Sequence, residues 1–406
     1  MSQSAHEPTS PGVSTGQSSR AAVPALALVC FAMSLNQNVF GALNPFLRKE
    51  FGFSDESLGA LVSAPGIAGT ISALLLGPVV DRVGRKAPIL IGTLLFSVVS
   101  IPYLCATHIV PLLIARLLTG FAAGVVLTGA SAAVADLVPF DRRGKAMTWI
   151  SLAILVAGVL GNPAAVLLAQ NGHWRMIFWL QIGIALLAAG ILFVKLPRGL
   201  GKSDGPTGAL FAPLERRGIP AALGSIVLYT GAFVGVVQFF GVWLEEASIL
   251  PKSDQAGFWL GLGLLGAVGA LTLGGVTDKL GKHRAVLIAS GIVAGGVAVL
   301  PFVSSLWALI LVGAPIAMVS AARSGSLMAL VTELVPHEER GRLMGLRAAA
   351  VNLGIGIVPI SLAAIRGNMG SDMFFWAAAL VLLLALGLVW RGVPTSSSNT
   401  ESEAVT

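Results

Sequence analysis

Gly77-Pro78-Val79-Val80-Asp81-Arg82-Val83-Gly84-Arg85-Lys86 decides the fold, because its charged half returns later in the chain. Asp81-Arg82-Val83-Gly84-Arg85-Lys86 reappears, loosened, as Asp278-Lys279-Leu280-Gly281-Lys282-His283-Arg284. The same offset of 197 residues carries Asp136 onto Glu333, Pro139 onto Pro336 and Gly144 onto Gly341. A constant offset at separate landmarks marks a duplicated bundle, and charged turns between apolar helices place that bundle in a membrane. The combination points to a transporter.

Composition agrees. Hydrophobic residues make up 55% of the 406 and charged residues 11%, where a soluble domain carries about 25% charged. Such a chain cannot cover its surface with polar groups in water, so the fold class is an all-α membrane protein. The 49 glycines suit helices that pack backbone to backbone in lipid. The formal charge of +7 raises nucleic acid as a partner, but the basic residues form no face or tract. They sit in short loops, where membrane topology accounts for them, and no nucleic acid partner is expected. Cys30 and Cys105 both lie in apolar runs and read as packing residues, so no disulfide, metal or cofactor is expected.

Residues 1–20 and 393–406 are rich in small and polar residues and are expected to be disordered tails. The first apolar stretch lacks a small-residue cleavage site and is followed by many others, so it reads as a span and not as a signal peptide. Twelve apolar runs lie between the tails, each near the roughly 20 residues that cross a bilayer. They fall at about 22–46, 56–80, 87–107, 109–135, 145–170, 174–196, 219–244, 256–277, 285–304, 306–332, 342–365 and 372–391. The longest loop, 197–218, divides them into an N-terminal six-helix bundle at 21–196 and a C-terminal one at 219–392. With both termini inside, five of the 26 basic residues fall outside: Arg48, Lys49, Arg175, Lys252 and Arg366. Arg116 and Arg323 lie within spans, and the rest sit in the tails, the inside loops or their flanks. That bias puts both termini in the cytoplasm and the chain in the plasma (cytoplasmic) membrane, where a monomer is expected.

The repeated loop has the parts of a gate. Asp81 is placed to meet the partly positive start of a neighbouring helix, Gly84 permits a tight turn, and Arg85 is placed to reach Asp136 at the inner end of span four. A basic inside loop needs no purpose beyond topology. An acid, a turn glycine and paired bases repeated in the second half, however, read as a structured gate. Its expected members are Gly77, Asp81, Arg82, Gly84, Arg85, Lys86 and Asp136, answered by Asp278, Gly281 and Glu333.

This loop resembles the signature of the major facilitator superfamily, Gly-x-x-x-Asp-Arg-x-Gly-Arg-Arg/Lys, matched residue for residue from Gly77 to Lys86. A degenerate copy runs from Gly274 to Arg284, and Trp174-Arg175-Met176-Ile177-Phe178-Trp179 is similar to the Trp-Arg-x-x-Phe opening of the family's sixth helix. The resemblance covers residues 22–392. It implies two pseudo-symmetric six-helix bundles, a central site between them and rocker-like alternating access. By the same analogy, Asp81, Arg85 and Asp136 form a cytoplasmic charge network that stabilises the outward-open state.

In span four, Arg116-Leu117-Leu118-Thr119-Gly120 resembles the Arg-x-x-x-Gly motif of the drug:proton antiporters, whose arginine is associated with proton transfer. Gly120 and Gly124 also make a packing face, and the plain alternative is an Arg116 that snorkels to the outer end of its helix. Gly158-Val159-Leu160-Gly161-Asn162-Pro163-Ala164-Ala165 is the counterpart of the antiporters' Gly-Pro motif. Asn162 interrupts the pair and alanines replace the later glycines, departures from a motif whose resemblance suggests export.

Arg323 lies ten positions before Glu333, about 15 Å along the helix. That is near the midplane, where insertion scales assign an arginine a penalty of roughly 2.5–3.5 kcal/mol. Two readings stay open: an arginine solvated by hydroxyls, with Ser320, Ser324 and Ser326 nearby, and backbone carbonyls, or one that binds an anionic or polar substrate group. No carboxylate lies at mid-depth in any span, so no proton carrier stands out. Asp136 and Glu333 sit at inner helix ends, and Glu245 and Glu246 at the outer end of span seven. The candidate substrate contacts are Asn36, Asn38, Arg116, Asn162, Tyr229, Gln238, Arg323 and Asn352, with a helix–helix hydrogen bond as the alternative for each.

All five histidines fall in tails, loops or span edges, so none is placed to activate a serine inside a span. No Gly-x-x-x-x-Gly-Lys-Ser/Thr loop is present to hold a nucleotide phosphate. A membrane enzyme and an ATP-driven pump are therefore not expected. The expected function is secondary transport of small organic solutes, most simply proton-coupled efflux, with the small-molecule substrate, protons and the lipid bilayer as partners. The alternatives are an organic-anion carrier using Arg323 and a transport-dead membrane sensor.

Overall fold

The computed structural model describes residues 15–201, 211–336 and 339–394, with side chains from residue 21 onward other than those at 77, 78, 81, 140, 141 and 278. Of the expected gate residues Gly77, Asp81 and Asp278, only the backbone path is therefore described. Residues 1–14, 202–210 and 395–406, in the expected tails and linker, lie outside the described residues.

The chain is all helix among the described residues. In order it forms α1 (Thr15–Phe51), α2 (Asp55–Val83), α3 (Lys86–Val99), α4 (Pro102–Cys105), α5 (Ile109–Leu137), α6 (Phe140–Gln170), α7 (Met176–Lys195), α8 (Ile219–Ala247), α9 (Lys252–Leu280), α10 (Lys282–Val299), α11 (Leu306–Glu333), α12 (Arg340–Met369) and α13 (Ser371–Gly392). Twelve spans are long and apolar enough to cross a membrane, α3 and α4 together making the third. Consecutive spans alternate in direction. One end, called here the signature end, carries the turns at Gly84, Val138 and Gly281; the far end carries those at Gly52, Ser248 and Gly370.

Local chemistry sets the boundaries. Ser54 caps α2 by accepting from the Ser57 amide at 3.3 Å, with Asp55 and Glu56 in the first turn, where negative charge meets the helix dipole. Gly84 ends α2 at φ 92° and its repeat Gly281 ends α9 at φ 82°, a region that only glycine enters freely. The duplication thus survives in backbone conformation as well as in sequence. The third span is broken where one helix was expected. Pro102 has no N–H to give the Val98 carbonyl, and Ile101 N donates to it instead, at 3.1 Å. The ninth span ends in the same way, in a short turn at Leu300–Phe302 around Pro301. Helix α1 starts at Thr15, inside the stretch expected to be a tail.

Spans one to six and spans seven to twelve form two bundles that meet along α2 with α12, α1 with α8 and α6 with α9. Toward the far end one continuous core crosses between them, from Phe40, Tyr103 and Phe178 to Phe239, Trp243, Phe374 and Phe375. Toward the signature end the core divides. Leu26, Met33, Phe96 and Val126 pack inside the first bundle, and Leu223, Val286, Leu330 and Leu343 inside the second. The bundles are joined at one end and hold themselves together separately at the other.

The joint is a close backbone approach. A Cβ on Gly66 of α2 would lie 2.4 Å from the Gly356 amide nitrogen and 2.6 Å from the Asn352 carbonyl oxygen of α12. Neither atom belongs to a side chain that can swing away. Gly66→Ala is expected to destabilise the protein by about 1–3 kcal/mol, read as a lower unfolding midpoint in detergent. Gly274→Ala, with nothing within 4 Å of its Cβ position, is expected to leave stability unchanged or raise it by up to ~1 kcal/mol through helix propensity.

Candidate functional site

At the far end, four charged side chains close a ring across the joint. Arg48 of α1 donates to Glu246 of α8 at 2.8 Å and lies 3.6 Å from Asp55 of α2. Arg366 of α12 donates to Asp55 through Nη1 and to Glu246 through Nη2, and Ser371 donates to Glu246 at 3.0 Å. The Arg366 side chain is only 2% exposed. It is a buried charge held between two acids, an arrangement in which losing one partner is strongly unfavourable. Among the described residues, every hydrogen bond between the bundles lies in this far half. Asn44 donates to the Gln238 carbonyl at 2.8 Å, Gln238 to the Gln37 carbonyl at 3.0 Å, and Gln170 to the Lys252 carbonyl. The Ile360 amide donates to Ser63 Oγ at 3.1 Å.

The two arginines within spans are each engaged inside one bundle. Arg116 is fully buried and does not snorkel. Its Nε donates to the Leu61 carbonyl at 2.8 Å, its Nη1 to Asn36 Oδ1 at 3.2 Å, and its guanidinium lies 4.1 Å from the Phe40 ring centre. Asn36 in turn donates to Gln181 at 3.0 Å. Leu61 stands four residues before Pro65, which has no N–H to give it, so Arg116 supplies the donor that α2 lacks there. Gly120, one turn further along α5, faces the same proline: its Cβ would fall 2.3 Å from Pro65 Cα. The arginine and the glycine of the Arg-x-x-x-Gly motif thus serve one joint in this chain.

Arg323 is treated alike in the second bundle. Its Nε donates to Ser290 of α10 at 2.7 Å, its Nη2 to Ser225 of α8 at 3.1 Å, and its guanidinium lies 3.4 Å from the Tyr229 ring centre. Hydroxyls do solvate it, but from neighbouring helices. Ser320 and Ser324, on its own helix, instead donate to carbonyls one turn back.

At the signature end, Arg85 meets Asp136 at 3.3 Å, and Lys282 pairs with Glu333. These two pairs are related by the 197-residue offset, and each joins residues of one bundle. The linker lies over the first pair: the Arg85 amide donates to the Leu200 carbonyl at 2.8 Å, and a Cβ on Gly201 would meet Asp136 at 2.3 Å. Lys86 donates to the Phe193 carbonyl at 2.7 Å, and Arg82 is exposed. On the other side, Arg216 pairs with Glu339 at 3.0 Å. Its hydrogen bond and charge hold the Glu339 carboxyl below the usual range, while Glu339 raises the Arg216 guanidinium.

Of the eight expected substrate contacts, Asn36, Arg116 and Arg323 belong to these internal networks. Gln238 and Asn352 sit on the joint, with Asn352 Oδ1 2.8 Å from where a Gly69 Cβ would be. Asn38 donates to the Ser34 carbonyl of its own helix at 2.7 Å. Asn162 and Tyr229 differ from the rest: Asn162 Oδ1 and Tyr229 Oη are buried and have no hydrogen-bond partner among the described residues. The far-end ring was not foreseen. Its members read in sequence as ordinary boundary charges, and only the packing of α1 and α2 against α8 and α12 brings them together. Leu61 and Pro65, four apart and paired with an arginine within a span, were a signal that was available.

The comparisons with known proteins fit this geometry. The family model described as Major Facilitator Superfamily matches residues 26–292 and 248–406. Multidrug resistance protein 2 of Bacillus subtilis (strain 168) is 26% identical over 365 residues, covering 86% of this chain and 89% of the relative. The gentisate transporter of Corynebacterium glutamicum is 25% identical over 388 residues, covering 87% and 83%. Among solved structures, a bacterial homolog of the human lysosomal transporter Spinster, inward-facing and unoccupied, superposes with a TM-score of 0.75 at 17% identity, covering 92% of this chain and 97% of that one.

Arg116→Met is expected to strand the Leu61 carbonyl and Asn36 Oδ1 and to destabilise the protein by about 1–3 kcal/mol. Pro65→Ala returns an N–H to α2, so in that background the same substitution should lose about 1 kcal/mol less. A double-mutant cycle in detergent unfolding measures the difference. Additive losses would contradict the pairing of Arg116 with the proline-freed carbonyl.

Proposed function

We propose that this chain, which belongs to the Major Facilitator Superfamily, is a secondary transporter that exports small, largely apolar organic compounds bearing one or two polar groups. The observation that carries the reading is the divided core. One packed interior binds the bundles at the far end, and two separate interiors hold them at the signature end. That is one half of an alternating-access cycle. With the basic loops inside, the parted side faces the cytoplasm, and the conformation is inward-facing.

The substrate class follows from which polar groups remain available. Arg116 and Arg323 are occupied within their own bundles, whereas Tyr229 Oη and Asn162 Oδ1 lack partners. Phe233 stacks on Tyr229 with ring centres 5.8 Å apart. An apolar or aromatic body with a hydrogen-bonding group suits such surroundings, and similarity to Multidrug resistance protein 2 supports export. Protons are the proposed coupling ion. Among the described residues no acid stands at mid-depth, and the acids in ion pairs across the joint are Asp55 and Glu246.

An organic-anion carrier is the second reading, on a specific observation. Arg323 Nη1 has no hydrogen-bond partner among the described residues, and Arg347 of α12, half-buried, has no acid beside it there. Similarity to the gentisate transporter accords with it.

Counterflow in proteoliposomes, with an aromatic amide and the matching aromatic acid as labelled solutes, separates the readings. The export reading expects exchange of the neutral compound, accelerated at least severalfold by an imposed pH gradient and abolished by an uncoupler. Exchange of the acid alone, insensitive to the gradient, would favour the anion carrier. Binding of either solute without exchange would make the protein a sensor.

A further inference from the structure

Four charges at the far end make a different kind of contact from the pairs at the signature end. Arg48 and Asp55 belong to the first bundle, Glu246 and Arg366 to the second, so each bundle brings one base and one acid. Two edges of the ring cross the joint, Arg48 to Glu246 at 2.8 Å and Arg366 to Asp55. The other two stay within a bundle, Arg48 to Asp55 at 3.6 Å and Arg366 to Glu246. Going round the ring, the charges alternate.

We propose that this ring is the outer gate of the transport cycle and that it opens by exchanging partners, each arginine keeping the acid of its own bundle. The proposal rests on the alternating-access reading. Parting the bundles breaks the crossing edges only. Arg366, which is buried, would be stranded if Asp55 were its sole partner, but Glu246 and Ser371 move with it. Arg48 and Glu246 are 39% and 42% exposed, so water can fill the positions their crossing partners leave. The gate is therefore held by charge, yet its opening leaves no buried charge bare.

The parted signature end already has the arrangement that an opened far end would adopt. There Arg85 pairs with Asp136 and Lys282 with Glu333, each within its bundle. Two charged pairs flank the ring within single bundles, Glu245 with Lys252 and Glu50 with Arg175, both at 3.2 Å; Glu56 of α2 lies against Gly367 of α12. The two pairs neither compete for Arg48 or Arg366 nor depend on the ring staying closed.

Two double neutralisations remove the same number of charges and should act in opposite directions. The reporter is Val237→Cys, at the far-end core where α8 meets Gly41 of α1, in a Cys30→Ser, Cys105→Ser background, labelled on intact cells by a membrane-impermeant maleimide, with flux measured in parallel. Arg366→Gln with Glu246→Gln leaves Arg48 and Asp55, a pair complete in either state. Outer labelling should rise about tenfold while flux persists. Arg48→Gln with Glu246→Gln leaves Arg366 and Asp55 tied across the joint with nothing to exchange for, so labelling and flux should both fall about tenfold.

Arg48→Asp with Asp55→Arg provides a second arm that retains all four charges. It sets like charges across the joint and should raise outer labelling as the first variant does. Equal shifts in one direction for both neutralisations, or no shift in any variant, would overturn partner exchange. A parent protein that labels normally but moves no solute would instead sink the transport reading, and the labelling comparison would still decide the gate.

Discussion

A guanidinium inside a membrane protein is costly to leave without partners, and in this chain both such groups find theirs in the bundle that carries them. Arg116 and Arg323 obey this constraint in parallel. One is held by Leu61, Asn36 and Phe40 of the first bundle, the other by Ser225, Ser290 and Tyr229 of the second. Neither reaches across the joint. Each bundle supplies the contacts of its own buried guanidinium, and under the proposed rocking motion those contacts would travel with it.

What holds the bundles against each other is correspondingly shallow in chemistry. Glycines let α2 and α12 touch backbone to backbone, so dispersion between close surfaces contributes to the joint. Among the described residues, hydrogen bonds across the joint are few and lie in the far half. On the proposed gate, the ion ring adds strength and register there; release breaks its two crossing pairs while each bundle keeps a neutral pair. A joint built from close packing and exchangeable charge is one that closes firmly and still opens.

The duplication was legible because it is written in loop residues that have little freedom: an acid, a glycine forced to positive φ and a base. Gly84 and Gly281 show the same backbone habit 197 residues apart, and the Arg85–Asp136 and Lys282–Glu333 pairs repeat with them. The twelve spans were legible from hydropathy for equally local reasons. The break at Pro102 was readable in principle from the missing N–H. Other features depend on which helices become neighbours, and no residue records that alone. Arg366 looks in sequence like a boundary charge, yet packing between α8 and α13 buries it. Arg323 finds its serines on α8 and α10, where only the fold puts them within reach, and the serines nearest in sequence turn out to bond their own helix.

The central claim is that the two ends open and close in opposition about one joint. Double electron–electron resonance on two spin-label pairs tests it most directly. Lys49→Cys with Ser253→Cys reads the far end, and Gly144→Cys with Gly341→Cys the signature end. In the resting protein the account predicts a short far-end distance and a long signature-end distance. Adding transported solute or lowering the pH should create a second population in which the far end lengthens as the signature end shortens. Distances that lengthen together, or a signature end that stays fixed while the far end moves, would contradict it.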